Sequence, residues 1–237
     1  MLNNLFPMPM TLSDGHDDTR MALILISLAA SAVYFVFTSR DTFPARTLIK
    51  ALGVGMLTLY VAISLPDPAP AVGWWLVGAL AFSTLGDIFL SLDRDRLFVQ
   101  GLGAFLMGHI AYVIAFVGLM PEPFDPMIYD LASAALIVLF GGASFVWLAP
   151  GLGKMSLPVF FYVVVIVAMA AASILADTHT HWVPIGAVLF MLSDMMIAIE
   201  KFKRPFPAAG QAIWLTYYAA QWMLGLGVLA ELYMRAA

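Results

Sequence analysis

The run VGWWLVGALAFSTLGDIFLSL, residues 72–92, is long enough to cross a lipid bilayer and contains a single charged side chain, Asp87. A spanning helix needs about 20 predominantly apolar residues. A carboxylate inside such a helix costs roughly 2.5–3.5 kcal/mol on insertion scales, which makes it a candidate functional group. The run AVLFMLSDMMIAI, residues 187–199, places Asp194 in similar surroundings. The two runs therefore predict a membrane protein in which both aspartates form one acid/base site.

The composition of the whole chain agrees with a membrane protein. Of its 237 residues, 62% are hydrophobic and 11% are charged, and the mean hydropathy is +0.94; a soluble domain has about 25% charged residues. The absence of cysteine excludes disulfides and cysteine nucleophiles. We expect residues 1–20 to form a polar, interfacial tail and residues 21–237 a single transmembrane domain. The predicted fold is all-α, a polytopic bundle of eight helices, from apolar runs at residues 21–38, 47–65, 72–92, 99–119, 128–148, 157–176, 182–200 and 211–233.

A weak internal repeat relates the two halves of the chain. A shift of 107 residues places Gly86 and Asp87 on Ser193 and Asp194. The same shift relates spans three and four to spans seven and eight in the same membrane orientation, as in a parallel 4+4 duplication. A handful of such matches also arises by chance in so biased a composition, so both explanations stay open.

The distribution of Lys and Arg predicts the orientation of the helices. Cytoplasmic loops carry an excess of these residues. Here Arg20 and Arg235 fall on one side, and the other side has Arg40, Arg46, Lys50, Arg94, Arg96, Lys154, Lys201, Lys203 and Arg204. We therefore expect a multi-pass protein of the bacterial inner membrane, with both termini outside and both aspartates near the cytoplasmic side.

Polar side chains at helical spacing are the candidate partners of the aspartates. Buried polar groups need hydrogen-bond partners, so these faces should converge inside the bundle. The candidate substrate-binding residues are Thr84, His109, Tyr112, Trp214, Tyr217, Tyr218 and Gln221. The structural alternative is that the aspartates and His109 only join helices, and that Tyr and Trp side chains near span ends form an interfacial belt.

Several chemistries lack their sequence signatures. The chain has no GxSxG, HExxH or Walker A motif and no dinucleotide-binding glycine pattern. With one intramembrane histidine and no cysteine, a three-ligand zinc site is hard to build. A facial triad of Asp87, Asp194 and His109 is the remaining metal alternative. We expect no metal, no cofactor and no nucleic-acid partner. The sequence makes no prediction about the oligomeric state.

Four segments in order resemble a known family. They are LGDIFLSL at residues 85–92, FVQGLGAFLMGHIAYV at 98–113, GAVLFMLSDMMIAIEKF at 186–202 and WLTYYAAQWML at 214–224. Together they resemble the YhhN-like lysoplasmalogenases, a family of polytopic membrane hydrolases. The resemblance implies a lysophospholipid substrate taken from among membrane lipids, whose vinyl ether bond is hydrolysed to a fatty aldehyde and glycerophosphocholine or glycerophosphoethanolamine. It also implies that Asp87 and Asp194 are the catalytic pair.

Two other functions remain open at this stage. A proton-coupled transporter also carries intramembrane acids, but it needs a site near the midplane that is reachable from both sides. A lipid hydrolase of other specificity, such as a metal-dependent amidase, would depend on a metal ion and lose activity with chelators.

Overall fold

The computed structural model describes residues 15–38, 45–93 and 95–236, and within these ranges the chain is helical apart from short connections. Most of the predicted tail lies outside the described residues. The first helix begins at Asp17 rather than at residue 21, because Arg20 is not solvated: it is buried and donates to the carbonyl of Ile63, the last residue of the next helix. The helices are α1 Asp17–Phe37, α2 Arg46–Ile63, α3 Ala71–Leu92, α4 Phe98–Val117, α5 Ile128–Leu152, α6 Ser156–Leu175, α7 Trp182–Phe202 and α8 Ala209–Ala236.

The outer surface of the bundle is apolar, as a lipid-facing surface must be. Large hydrophobic side chains such as Trp74, Ile128 and Val146 are exposed on it. Within the described residues, seven helical segments are long and apolar enough to cross a membrane. The protein is therefore an all-α integral membrane protein.

One of the seven segments, residues 128–175, contains both α5 and α6. A short 3-10 turn, Gly153–Met155, separates the two helices, and α6 packs back against α5. Gly153 has a φ of 51°, a left-handed conformation that glycine adopts without the steric cost of a side chain. The turn thus converts one long apolar segment into a helical hairpin.

Helix α8 lies at the centre of the bundle. It packs against α1, α2, α3 and α7. Small residues allow the close approach to α7: a Cβ on Gly186 would lie 3.2 Å from the carbonyl oxygen of Ala220. This position brings the polar side chains near the start of α8 between α3 and α7, the two helices that carry the aspartates.

Candidate active site

Asp87, on α3, is held at both carboxylate oxygens. Its side chain is 1% exposed. The Lys50 ammonium on α2 lies 2.9 Å from Oδ1, and the Tyr217 hydroxyl on α8 donates to Oδ2 at 2.8 Å. An ammonium and a phenol are both donors, so the arrangement stabilises Asp87 as a carboxylate.

Asp194, on α7, has different partners. The Tyr162 hydroxyl on α6 donates a hydrogen bond to its Oδ2, and Nε2 of His109 on α4 lies 3.7 Å from the same oxygen. His109 is fully buried, and its ring packs edge-on against Tyr162 and Phe190. In the described part of the chain no hydrogen bond reaches Oδ1 of Asp194, so this oxygen is available to carry and deliver a proton.

Both aspartates line one polar cavity of about 290 Å³. The cavity lies at the end of the bundle where α1 ends and where α2 and α8 begin. Its lining there includes Thr38, Arg46 and Gly210, together with Glu200 near the end of α7. The two carboxyl groups therefore border one space.

A second, apolar cavity of about 80 Å³ adjoins the polar one. Four residues line both cavities: Leu90, Phe105, Asp194 and Ile197. Side chains of α3, α4, α5, α6 and α7 form the apolar lining. The acidic site thus stands at the junction of a polar space and an apolar one.

The predicted site residues divide into two groups. Trp214 and Tyr217 line the polar cavity with the aspartates, and His109 contacts Asp194 from outside both cavities. The others line neither cavity and bond within or between helices: Thr84 to the Leu80 carbonyl at 2.9 Å, Tyr112 to Gln221 at 2.6 Å, and Tyr218 to Ser27 at 2.7 Å.

Two side chains that contact the aspartates, Lys50 and Tyr162, are absent from the predicted site. The distribution of basic residues assigns Lys50 to the cytoplasmic loops, although it falls inside the predicted span at residues 47–65. A charge inside an apolar run is the same signal that identified Asp87. Tyr162 gave no comparable signal, because a tyrosine in a spanning helix is inconspicuous until the packing of α6 against α7 places it beside Asp194.

The geometry offers little to a metal ion. Across residues 15–38, 45–93 and 95–236, no three His, Asp or Glu side chains come together as metal ligands would. Asp87, Asp194 and His109 therefore do not form the facial triad considered from the sequence. The described donors to the two carboxyl groups are an ammonium and two phenols, and an imidazole lies 3.7 Å from Oδ2 of Asp194.

The fold and the site together define a class of protein: a polytopic membrane protein with two acidic side chains in one buried cavity. A model of the YhhN family matches residues 45–228, and the chain belongs to this family. No solved structure gives a significant match.

Named relatives cover most of the chain. A lysoplasmalogenase of Mycobacterium bovis is 34% identical over 183 residues, which are 76% of this chain and 70% of that protein. Lysoplasmalogenase TMEM86A of Bos taurus is 32% identical over 214 residues, 84% of this chain and 85% of that protein. Lysoplasmalogenase TMEM86B of Homo sapiens is 33% identical over 183 residues, 77% and 74% respectively.

Proposed function

We propose that this protein hydrolyses the vinyl ether bond of lysoplasmalogens, and that the reaction takes place in the polar cavity between Asp87 and Asp194. The observation that carries the proposal is that both aspartates, from helices distant in sequence, line one cavity that joins an apolar one. Membership of the YhhN family and the lysoplasmalogenase names of its relatives support it.

The reaction needs an acid and a place for a cation. Protonation of the vinyl ether at its β-carbon gives an oxocarbenium ion. Water adds to this ion, and the resulting hemiacetal collapses to a fatty aldehyde and glycerophosphocholine or glycerophosphoethanolamine. One water is consumed, and the proton returns to the site when water is deprotonated. Glycosidases use paired carboxyl groups for related oxocarbenium chemistry.

The different partners of the two aspartates support different roles. Asp194 has an unoccupied Oδ1 and no cationic lysine or arginine partner among the described residues, so it acts as the general acid. Asp87 stays ionised beside Lys50 and stabilises the oxocarbenium ion. Tyr217 and Tyr162 hold the two carboxyl groups in position by their hydrogen bonds, and Trp214 forms part of the cavity wall.

The two cavities suit the two ends of the substrate. The polar cavity takes the glycerophospho headgroup, and the alkenyl chain runs past Asp194 into the apolar cavity. The apolar cavity lies among the spanning helices α4, α5, α6 and α7, and we propose that the chain enters it from the hydrophobic layer. A lysophospholipid then need not leave the membrane to bind.

The finer topology is part of the same proposal. We propose that α5 and α6, with 25 and 20 residues, each cross the membrane, which gives eight crossings, both termini outside and the site on the cytoplasmic side of a bacterial inner membrane. The excess of Lys and Arg at the cavity end supports this orientation. The extensive packing of α3 on α4 and of α7 on α8 supports the parallel 4+4 repeat.

The test compares a lysoplasmalogen with its saturated 1-alkyl ether analogue. The purified protein in lipid vesicles should release aldehyde only from the first. Asp87→Asn and Asp194→Asn should each lower aldehyde release by at least about 100-fold, the usual minimum for a lost acid or base. Asp125→Asn, an exposed aspartate in the α4–α5 connection, is the control and should keep normal activity. Near-normal turnover in either site variant contradicts the two-aspartate mechanism.

A further inference from the structure

Arg46, the first residue of α2, lines the polar cavity without a described anionic partner. Its guanidinium carbon lies 5.9 Å from the centroid of the Tyr34 ring. Its Nε is buried and has no hydrogen-bond partner among the residues that the structure describes. A buried guanidinium donor without an acceptor is a ready partner for an incoming anion.

Lys50, the other cation of the cavity, is not available to bind such an anion. Lys50 and Arg46 are four residues apart and share one face of α2. The Lys50 ammonium is already paired with Asp87 at 2.9 Å, so its charge is neutralised within the protein. The two cations of the cavity therefore differ: Lys50 is paired with Asp87, and Arg46 forms no ion pair among the described residues.

The spacing of these cations matches the substrate. Four residues of helix rise by about 6 Å, so Arg46 stands one turn nearer the end of the bundle than Lys50 and its partner Asp87. In a lysoplasmalogen the glycerol backbone separates the phosphate diester from the vinyl ether oxygen. A phosphate at Arg46 thus allows the glycerol to run along α2 and the vinyl ether to lie beside the aspartates.

We infer that Arg46 binds the phosphate diester of the lysoplasmalogen headgroup and thereby sets the vinyl ether between Asp87 and Asp194. This inference rests on the proposed function. A guanidinium is suited to the task because its planar donors match two phosphate oxygens.

The experiment uses substrates with and without the phosphate. The variant Arg46→Gln is assayed on a lysoplasmalogen and on 1-alkenylglycerol, which has the same vinyl ether but no phosphate. We expect kcat/KM for the lysoplasmalogen to fall by about 10- to 100-fold, mainly through KM, since charge-assisted hydrogen bonds are lost. Turnover of 1-alkenylglycerol should change by less than about twofold, and Arg46→Lys should recover part of the loss.

Arg96→Gln is the matched control. Arg96 lies at the same end of the bundle, but its side chain is 88% exposed, and it should behave as the unmodified protein on both substrates. Equal losses on both substrates in Arg46→Gln would mean that Arg46 only maintains the structure. Unchanged activity on both would mean that the phosphate binds elsewhere. Either result overturns the inference.

A binding measurement separates this inference from the proposed reaction. Glycerophosphocholine carries the phosphate but no vinyl ether, so it can occupy the headgroup site without being cleaved. It should raise the Tm of the unmodified protein and of Arg96→Gln but not that of Arg46→Gln. If no variant releases aldehyde, the reaction proposal fails while this shift still reports on Arg46. An equal shift in all three proteins, or none in any, overturns the inference.

Discussion

Asp87 and Asp194 illustrate how surroundings assign chemistry to identical side chains. Asp87 receives donors at both oxygens, one of them the cationic Lys50. Asp194 receives its described contacts at one oxygen, from Tyr162 and His109. A carboxylate beside a cation is stabilised in its ionised form, whereas a carboxylate that is removed from water without a cationic partner has a larger desolvation cost. The pair is therefore suited to one acid and one anion rather than to two equivalent groups.

The buried Lys50–Asp87 ion pair predicts how substitutions at these two positions change the stability of the protein. Removal of one partner of a buried ion pair typically costs about 3–5 kcal/mol, because the other charge is left buried. Lys50→Met should therefore lower the Tm in detergent micelles and abolish aldehyde release. The double variant Lys50→Met/Asp87→Asn should recover part of the Tm, since no unpaired carboxylate remains, but not the activity. Lys154→Met, an exposed lysine, is the control. A double variant less stable than Lys50→Met would contradict the ion-pair argument.

At this scale the sequence predicts the two acids and two of their partners, Tyr217 and His109, but not Lys50 or Tyr162. The insertion cost of a carboxylate singles out Asp87 and Asp194 in any apolar run. The partner of each acid depends on which helix faces which, and this is a property of packing. The sequence predicts Tyr217 as a site residue because it lies on a polar face of its own helix. Tyr162 gives no such signal, because it lies among apolar neighbours on α6. Thr84 and Tyr218 also have polar side chains, but their hydrogen bonds to other helices go to α2 and α1 and not to the aspartates.

The helices themselves follow closely from hydropathy. The run predicted at residues 72–92 is α3, Ala71–Leu92, and the run at 99–119 is α4, Phe98–Val117. Their arrangement does not follow from hydropathy alone, although one signal was present. Of the candidate spanning segments, α8 has the lowest mean hydropathy and the largest buried share, while the α5–α6 segment has the highest mean hydropathy. Polar side chains avoid lipid, so the least apolar helix takes the centre.

The position of Ser144 on helix α5 predicts how activity depends on the length of the substrate's alkenyl chain. Ser144 lines the apolar cavity, and its neighbour Ala143 is exposed on the outer face of the same helix. Ser144→Phe should fill part of the space that takes the alkenyl chain. We expect kcat/KM for a hexadecenyl substrate to fall by at least about tenfold relative to an octenyl substrate, because single methylene groups in such pockets are worth 10-fold or more. Ala143→Phe should leave the ratio unchanged. Equal losses for both chain lengths would place the chain outside this cavity.

The two ends of the whole bundle differ in a way that favours an enzyme over a carrier. One end contains the polar cavity. At the other end, Arg20 bonds to Ser64 and to the Ile63 carbonyl at 3.0 and 2.9 Å, which ties α1 to α2. Arg235 bonds to the carbonyls of Leu119 and Asp177, which ties α8 to the ends of α4 and α6. A carrier needs a site that opens alternately to both sides, and bonds between helix ends oppose such opening.

The orientation of the molecule can be tested directly because the chain has no cysteine. Single cysteines at Asp125, in the α4–α5 connection, and at Arg204, after α7, would lie at opposite ends of the bundle; both positions are exposed. In intact bacterial cells a membrane-impermeant maleimide should label Asp125→Cys at once and Arg204→Cys only after lysis, because the basic loops stay in the cytoplasm. Aldehyde release by both variants in vesicles confirms that each protein is folded. The reverse labelling pattern would put the cavity on the outer side of the membrane, and lysoplasmalogens would then have to reach Asp87 and Asp194 from the outer leaflet.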